Sequence, residues 1–235
     1  MTSLSVAATA EEAATEAARR LAEAIREARV RREAAHVALA GGATPRRAYE
    51  LLARDVRDWA GVEIWFGDER AVGPDHPDSN YRMVAATLLA GRLAPPPRVN
   101  RIEGERGAEE AAEAYEGALK ERVPAAAGTP VLDVALQGVG PDGHTASLFP
   151  GSPALDAPGL CAPVHDAPKP PPDRITLTLR TLRGARKIIF LVTGAEKAAA
   201  VAALLGPPDP NVPASLLAGP RAELIADHAA APPGS

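Results

Sequence analysis

The segment His36-Val-Ala-Leu-Ala-Gly-Gly-Ala-Thr-Pro45 carries three structural signals in succession. Its first five residues, apolar from Val37 to Ala40, read as a buried strand. Gly41-Gly42 ends the run, and a helix begins near Pro45, a favoured first helical residue. The same succession of strand, glycine turn and helix recurs in both directions. Upstream, residues 10–33 read as a helix capped by Thr9, with Ala17, Leu21, Ala24, Ile25 and Ala28 on one stripe. Downstream, residues 62–66 form a strand ending in Gly67-Asp68-Glu69-Arg70, then a long loop and a helix over about 79–90. A short strand over 99–102, a helix over 109–123 and a strand over 132–136 follow, the last ending in Gly138-Val-Gly140. Residues 174–179 alternate and are expected to form a half-exposed antiparallel strand. Residues 187–192 read as a buried strand before Gly194 and an Ala-rich helix, and 222–226 as a last short strand.

This alternation predicts an α/β fold with a mainly parallel sheet and a small antiparallel addition. The chain has 235 residues, and no repeat or change of composition divides it, so one domain over 1–235 is expected, with flexible ends at 1–8 and 229–235. Aromatics make up only 3%, which excludes a surface of stacked rings for bases. A net charge of -4 argues against nucleic acid or an anionic membrane as partner. An acidic chain that handles an anion must therefore gather a few cations in one pocket. The longest stretch without Asp, Glu, Lys or Arg, residues 143–155, is too short to span a bilayer. Glu11, Glu12 and Glu16 stand where a signal peptide needs an apolar core, so a cytoplasmic location is expected. The single cysteine, Cys161, excludes an internal disulfide and a cysteine-rich zinc site.

In parallel sheets, ligands bind beyond the carboxyl ends of the strands, and four polar or glycine-rich clusters follow strands here. Gly41, Gly42 and Thr44 sit between strand and helix, where free N–H groups and the helix dipole suit a phosphate. Thr44 either caps the helix or offers its hydroxyl to an anion; the plain alternative is a tight turn. The spacing is neither a Walker loop nor a dinucleotide fingerprint. Asp68 and Arg70 stand at a strand end, where Arg70 can clamp an anion or an oxyanion, or simply form a local ion pair. Residues 74–80 read as turn chemistry ending in a helix cap. In Gly138-Val-Gly-Pro-Asp142-Gly-His144-Thr145, glycines bracket an acid and a histidine suited to proton transfer; Asp142 would set its tautomer or hold the loop. Lys197, expected at a helix start, is better placed than an ordinary lysine to meet a bound anion. Ser147 and Cys161 lack nucleophile motifs and read as structural. No His, Cys, Asp and Glu set has ligand spacing, so no metal is expected.

Together, Ala40-Gly-Gly-Ala-Thr-Pro45, Trp65-Phe-Gly-Asp-Glu-Arg70, Pro74-Asp-His-Pro-Asp-Ser-Asn-Tyr-Arg82, Gly138-Val-Gly-Pro-Asp-Gly-His-Thr-Ala-Ser-Leu-Phe-Pro150 and Gly194-Ala-Glu-Lys-Ala198 resemble the 6-phosphogluconolactonase family. The resemblance runs in family order from residue 40 to about 200. It implies the modified doubly wound (Rossmann-like) sheet of the sugar-phosphate isomerase/deaminase superfamily. It also implies hydrolysis of 6-phospho-D-glucono-1,5-lactone to 6-phosphogluconate in the oxidative pentose phosphate pathway, without a cofactor. Carried over by residue, His144 matches the general base, with Arg70 and Asp68 in the catalytic set. Gly41, Gly42, Thr44, Asp142 and Lys197 match the sugar-phosphate contacts. The partners expected are a small sugar phosphate and, at most, a weak homo-oligomer, with no nucleic acid and no membrane.

Ala40 and Ala43 depart from residues that are often polar in this turn, and Gln137 stands where the family usually has an aliphatic residue. An amino-sugar phosphate deaminase on the same fold would carry a glutamate shortly after the histidine, whereas Thr145-Ala-Ser-Leu-Phe-Pro150 holds no carboxylate. A sugar-phosphate sensor would need a DNA-binding module for which the chain has no spare basic segment.

Overall fold

The computed structural model describes residues 1–91 and 93–232. Its twelve described strands are β1 (Ser3–Ala7), β2 (Ala35–Leu39), β3 (Val62–Phe66), β4 (Asp68–Arg70), β5 (Arg98–Val99), β6 (Ala125–Ala126), β7 (Thr129–Pro130), β8 (Val134–Gln137), β9 (Cys161–Val164), β10 (Arg174–Leu177), β11 (Lys187–Val192) and β12 (Ala222–Asp227). The α-helices are α1 (Ala10–Arg32), α2 (Arg46–Asp55), α3 (Asn80–Thr87), α4 (Ala108–Arg122), α5 (Leu179–Gly184) and α6 (Ala198–Leu204).

Seven strands form the central sheet in the order β1-β12-β11-β8-β2-β3-β5, and every pair in it is parallel. The expected α/β fold is thus present, and its antiparallel addition is a three-stranded sheet, β4-β10-β9, with a β6–β7 hairpin. From β2 the chain winds outward through β3 and β5; from β8 it winds the other way through β11 and β12. The winding reverses between β2 and β8, and that reversal opens a crevice beyond their carboxyl ends.

β2 and β8 are buried throughout, as an apolar strand covered on both faces must be. Thr9 caps α1 by accepting the Glu12 N–H at 3.2 Å, and the expected alanine stripe faces the core beside Leu21 and Ile25. Trp65, Phe66 and Phe190 are buried in the sheet, and the Tyr115 hydroxyl accepts the Phe66 N–H at 2.7 Å. No described helix is long and apolar enough to cross a membrane.

Several expectations are corrected. Residues 3–7, expected within a flexible end, form an edge strand held by β12 in a five-residue parallel register. At the other end, Ala230 is buried and its N–H reaches Asp227, while residues 233–235 lie outside the described residues. β10 is fully buried rather than half-exposed, because it runs between β4 and β9. Its Thr176 hydroxyl accepts the Ser147 N–H at 3.2 Å, so the polar side of the alternation meets protein rather than water. The 67–70 cluster is itself the strand β4, and the Ala-rich helix opens with a 3-10 turn, Ala195–Lys197.

Candidate active site

The crevice at the winding reversal is a cleft of about 420 Å³ lined by the segments that follow β2, β3, β8 and β11. Gly41, Gly42, Thr44, Asp68, Arg70, His144 and Lys197 all line it. Asp142 reaches it through His144, so the structure gathers every sequence-predicted site residue at one end of the sheet.

In the turn after β2, a Cβ on Gly41 would lie 1.8 Å from Asn80 Oδ1, so its bare Cα makes room for Asn80. Gly42, at φ +91°, has nothing within 4 Å of a would-be Cβ and keeps its backbone open to the cleft. Thr44 does not cap α2: the N-cap is Pro45, with no side-chain bond. The first turn of α2 carries no acid, which leaves its positive dipole end uncompensated.

Asp68 and Glu69 divide the labour on β4. Glu69 is buried and accepts the N–H groups of Arg70, Asn80 and Tyr81 and the Ser79 hydroxyl. It ties the start of α3 to β4, and burial pushes its carboxyl above the usual range. Asp68 is also buried; Asn80 Nδ2 donates to its backbone O at 2.9 Å and its Oδ1 at 3.0 Å, and Ser147 Oγ donates to its Oδ2 at 2.6 Å. These bonds fix the Asn80 amide, because both Asp68 oxygens require a donor. Ser147, expected to be structural, is buried with its hydroxyl committed to Asp68. Cys161 is buried too, and burial raises its thiol pKa.

In the loop after β8, Asp142 Oδ1 lies 2.5 Å from His144 Nδ1. The imidazole packs on Phe149 at 4.6 Å between ring centroids. Gly140 donates its N–H to the His144 carbonyl at 2.8 Å, and a Cβ there would collide with the imidazole. Burial lowers the His144 pKa below its ordinary value; Asp142 opposes the shift without reversing it. For Asp142, burial works against ionisation, but the His144 hydrogen bond and charge outweigh it and hold the carboxyl below its usual value. Asp142 Oδ1 is thus engaged with the imidazole of His144.

Four cations face the cleft: Arg70, Lys169, Arg174 and Lys197. Among the described residues none of them makes an ion pair. Arg70 donates to the Asp78 carbonyl, and its buried Nε has no partner. Arg174 is buried; its guanidinium bonds the carbonyls of Pro171 and Lys169 and lies over the Phe149 ring at 5.6 Å. Burial and then Arg70 lower the Arg174 pKa, as burial and then Lys169 lower that of Lys197. The cations thus stand in two like-charged pairs, Arg70 with Arg174 and Lys169 with Lys197. Asp227, at the end of β12, sets the Lys197 turn by accepting the Gly194 N–H at 3.0 Å.

Lys169, Arg174 and Asn80 are site residues that the sequence reading did not single out. The signals were a lysine set among prolines and an arginine heading a Thr/Leu strand. Among the described residues no three His, Cys, Asp or Glu side chains are grouped so as to hold a metal ion.

The family described as glucosamine-6-phosphate isomerases/6-phosphogluconolactonase matches residues 8–226. A 6-phosphogluconolactonase from Streptomyces coelicolor is 39% identical, over 92% of this chain and 88% of its own. One from Synechocystis sp. is 38% identical, over 80% and 79%. The solved 6-phosphogluconolactonase from Trypanosoma brucei superposes with a TM-score of 0.85 at 30% identity, covering 98% of this chain and 97% of its own. The chain belongs to the glucosamine-6-phosphate isomerase/6-phosphogluconolactonase family.

Proposed function

We propose that the protein hydrolyses 6-phospho-D-glucono-1,5-lactone to 6-phospho-D-gluconate with a water activated by His144. The observation that carries this reading is the His144–Asp142 pair set in a cleft with four cations that make no ion pair among the described residues. Relatives named 6-phosphogluconolactonase at 38–39% identity support it.

With Nδ1–H held by Asp142, Nε2 is the basic nitrogen. Its depressed pKa keeps the imidazole neutral at physiological pH, as a base must be. A water bound there gives its proton to Nε2 as its oxygen adds to C1 of the lactone. The carbonyl electron pair moves onto the oxyanion, which the cleft cations and backbone N–H groups stabilise. As the oxyanion collapses, the C1–O5 bond breaks and O5 takes the proton back from the imidazolium. The product is an open-chain acid that ionises, and the imidazole is neutral again. The remaining cations and the α2 N-terminus hold the 6-phosphate, which fixes C1 against His144. Asp68, locked by Asn80 and Ser147, offers a fixed acceptor to the sugar.

The reading extends to a cytoplasmic enzyme of the pentose phosphate pathway. It acts on a free sugar phosphate as a monomer or weak homo-oligomer, without cofactor or nucleic acid. The decisive assay offers freshly generated 6-phosphogluconolactone and, separately, glucosamine 6-phosphate. Acid release above the spontaneous rate from the first, with no ammonia from the second, is expected. Ammonia release alone would assign the deaminase chemistry instead.

A further inference from the structure

Gln137 is the last residue of β8, is 1% exposed and borders the cleft. A polar side chain in a central strand needs partners, and this one has them on both sides. Its Nε2 donates to the Leu136 carbonyl at 2.8 Å, which orients the amide. Its Oε1 then accepts the Thr145 hydroxyl at 3.1 Å. Thr145 directly follows His144 and is itself 1% exposed. On its other side the amide nitrogen lies 3.2 Å from where a Cβ on Gly67 would stand. Gly67 directly precedes Asp68, so the amide is wedged between the two strand ends that present Asp68 and His144. A glycine at 67 is what allows that contact.

We propose that Gln137 is a positioning residue: through the Thr145 hydroxyl it locks the His144 loop to the end of β8, beside the Gly67 backbone that leads to Asp68. The loop needs such a tie. Ala146 adopts φ +49° and Gly143 φ +80°, so the backbone reverses on both sides of the histidine. Asp142 and Phe149 restrain the imidazole but belong to the same loop, so the Asp142–His144 bond lasts only while that loop keeps its shape. Ser147 ties the loop to Asp68 from one side, and Thr145 ties it to β8 from the other. An aliphatic side chain at 137 would fill the space and leave the buried Thr145 hydroxyl without this acceptor.

The kinetic part of the test rests on the lactonase reading, and the spectroscopic part does not. Gln137→Leu and Thr145→Val are each expected to lower kcat about three- to tenfold on freshly generated lactone, with KM within twofold of wild type. The double variant should lose no more than the worse single, because both remove one bond. Thr145→Ser, which keeps the hydroxyl, should retain wild-type kcat. In parallel, imidazole 15N shifts should report one His144 tautomer in the wild type and Thr145→Ser, and a mixture in Gln137→Leu and Thr145→Val. Wild-type kcat with a wild-type tautomer in Gln137→Leu would overturn the proposal. So would additive losses in the double variant, or a loss accounted for by unfolded protein at the assay temperature. If Gln137→Leu does not fold, Thr145→Val against Thr145→Ser decides it by the same readouts. If the wild type hydrolyses no lactone, the functional reading fails and the tautomer comparison still decides the role of Gln137.

Discussion

The two ends of the central sheet are both rich in charge, and they treat it in opposite ways. At the amino ends, Arg32 and Arg186 lie 2.6 and 3.5 Å from the buried Asp133, and Lys187 lies 3.0 Å from Glu223. Asp133 also accepts the His36 N–H at 2.9 Å. These cations are neutralised within the protein, and their work is structural. At the carboxyl ends, Arg70, Lys169, Arg174 and Lys197 converge on the cleft, and among the described residues none has an acidic partner. Burying like charges together raises the energy of the empty site, and a bound dianion relieves it. What separates these two sets of cations is therefore direct ion pairing and not number: Asp68 and Glu196 line the cleft, yet among the described residues neither forms an ion pair.

The largest effect expected at the carboxyl end is that of His144→Ala, which should lower kcat about 100-fold or more with a wild-type circular dichroism spectrum and melting temperature. Turnover near wild type in the folded variant would remove His144 from the mechanism. Next, Lys197→Ala should weaken 6-phosphogluconate binding roughly 10- to 100-fold by calorimetry. Lys187→Ala at the opposite end should leave it within twofold, and equal losses would erase the contrast between the ends. Asp133→Ala should do the reverse, with a loss of about 1–3 kcal/mol in urea-unfolding stability and an unchanged kcat. The smallest effect is in pH. Neutral His144 is the active form and its folded pKa is depressed, so kcat/KM should fall only as pH drops through a value below 6.5. Asp142→Asn removes a charge that raises that pKa, so the remaining activity should show its acid limb at lower pH still. A limb that moved upward would show that Asp142 does not act on His144.

Strands covered on both faces were legible as apolar runs, which is why 36–40 and 187–192 could be placed from the sequence. Ser-Leu-Ser-Val-Ala at 3–7 gives no such run, because an edge strand needs little apolar surface and its pairing depends on a distant partner. The same division holds in the cleft. His144 and Lys197 follow β8 and β11 of the parallel sheet, where topology alone directs them to one end, and Arg70 lies on β4, which directly continues β3. Lys169 and Arg174 come from the antiparallel insertion, and their approach to the cleft depends on how β10 docks beside β4. Asn80 was legible as helix-cap chemistry but not as the group that orients Asp68, since that role requires Gly41 to face it.

The pairing of Ser3 with Glu223 has a consequence for biosynthesis. β1 is synthesised before every other described strand, yet β12, its only neighbour among the described strands, is synthesised after all of them. Until β12 is made, β1 lacks its partner, and the edge of β11 that β12 will cover stays bare in the nascent sheet. Closing this border is the most non-local of the described strand pairings, so it belongs to a late stage, after the other strands of the sheet have been made. Synthesis thus leaves a temporary adhesive margin on the growing domain, away from the β2–β8 crevice, and the N-terminal strand covers that margin only once the C-terminal one has arrived.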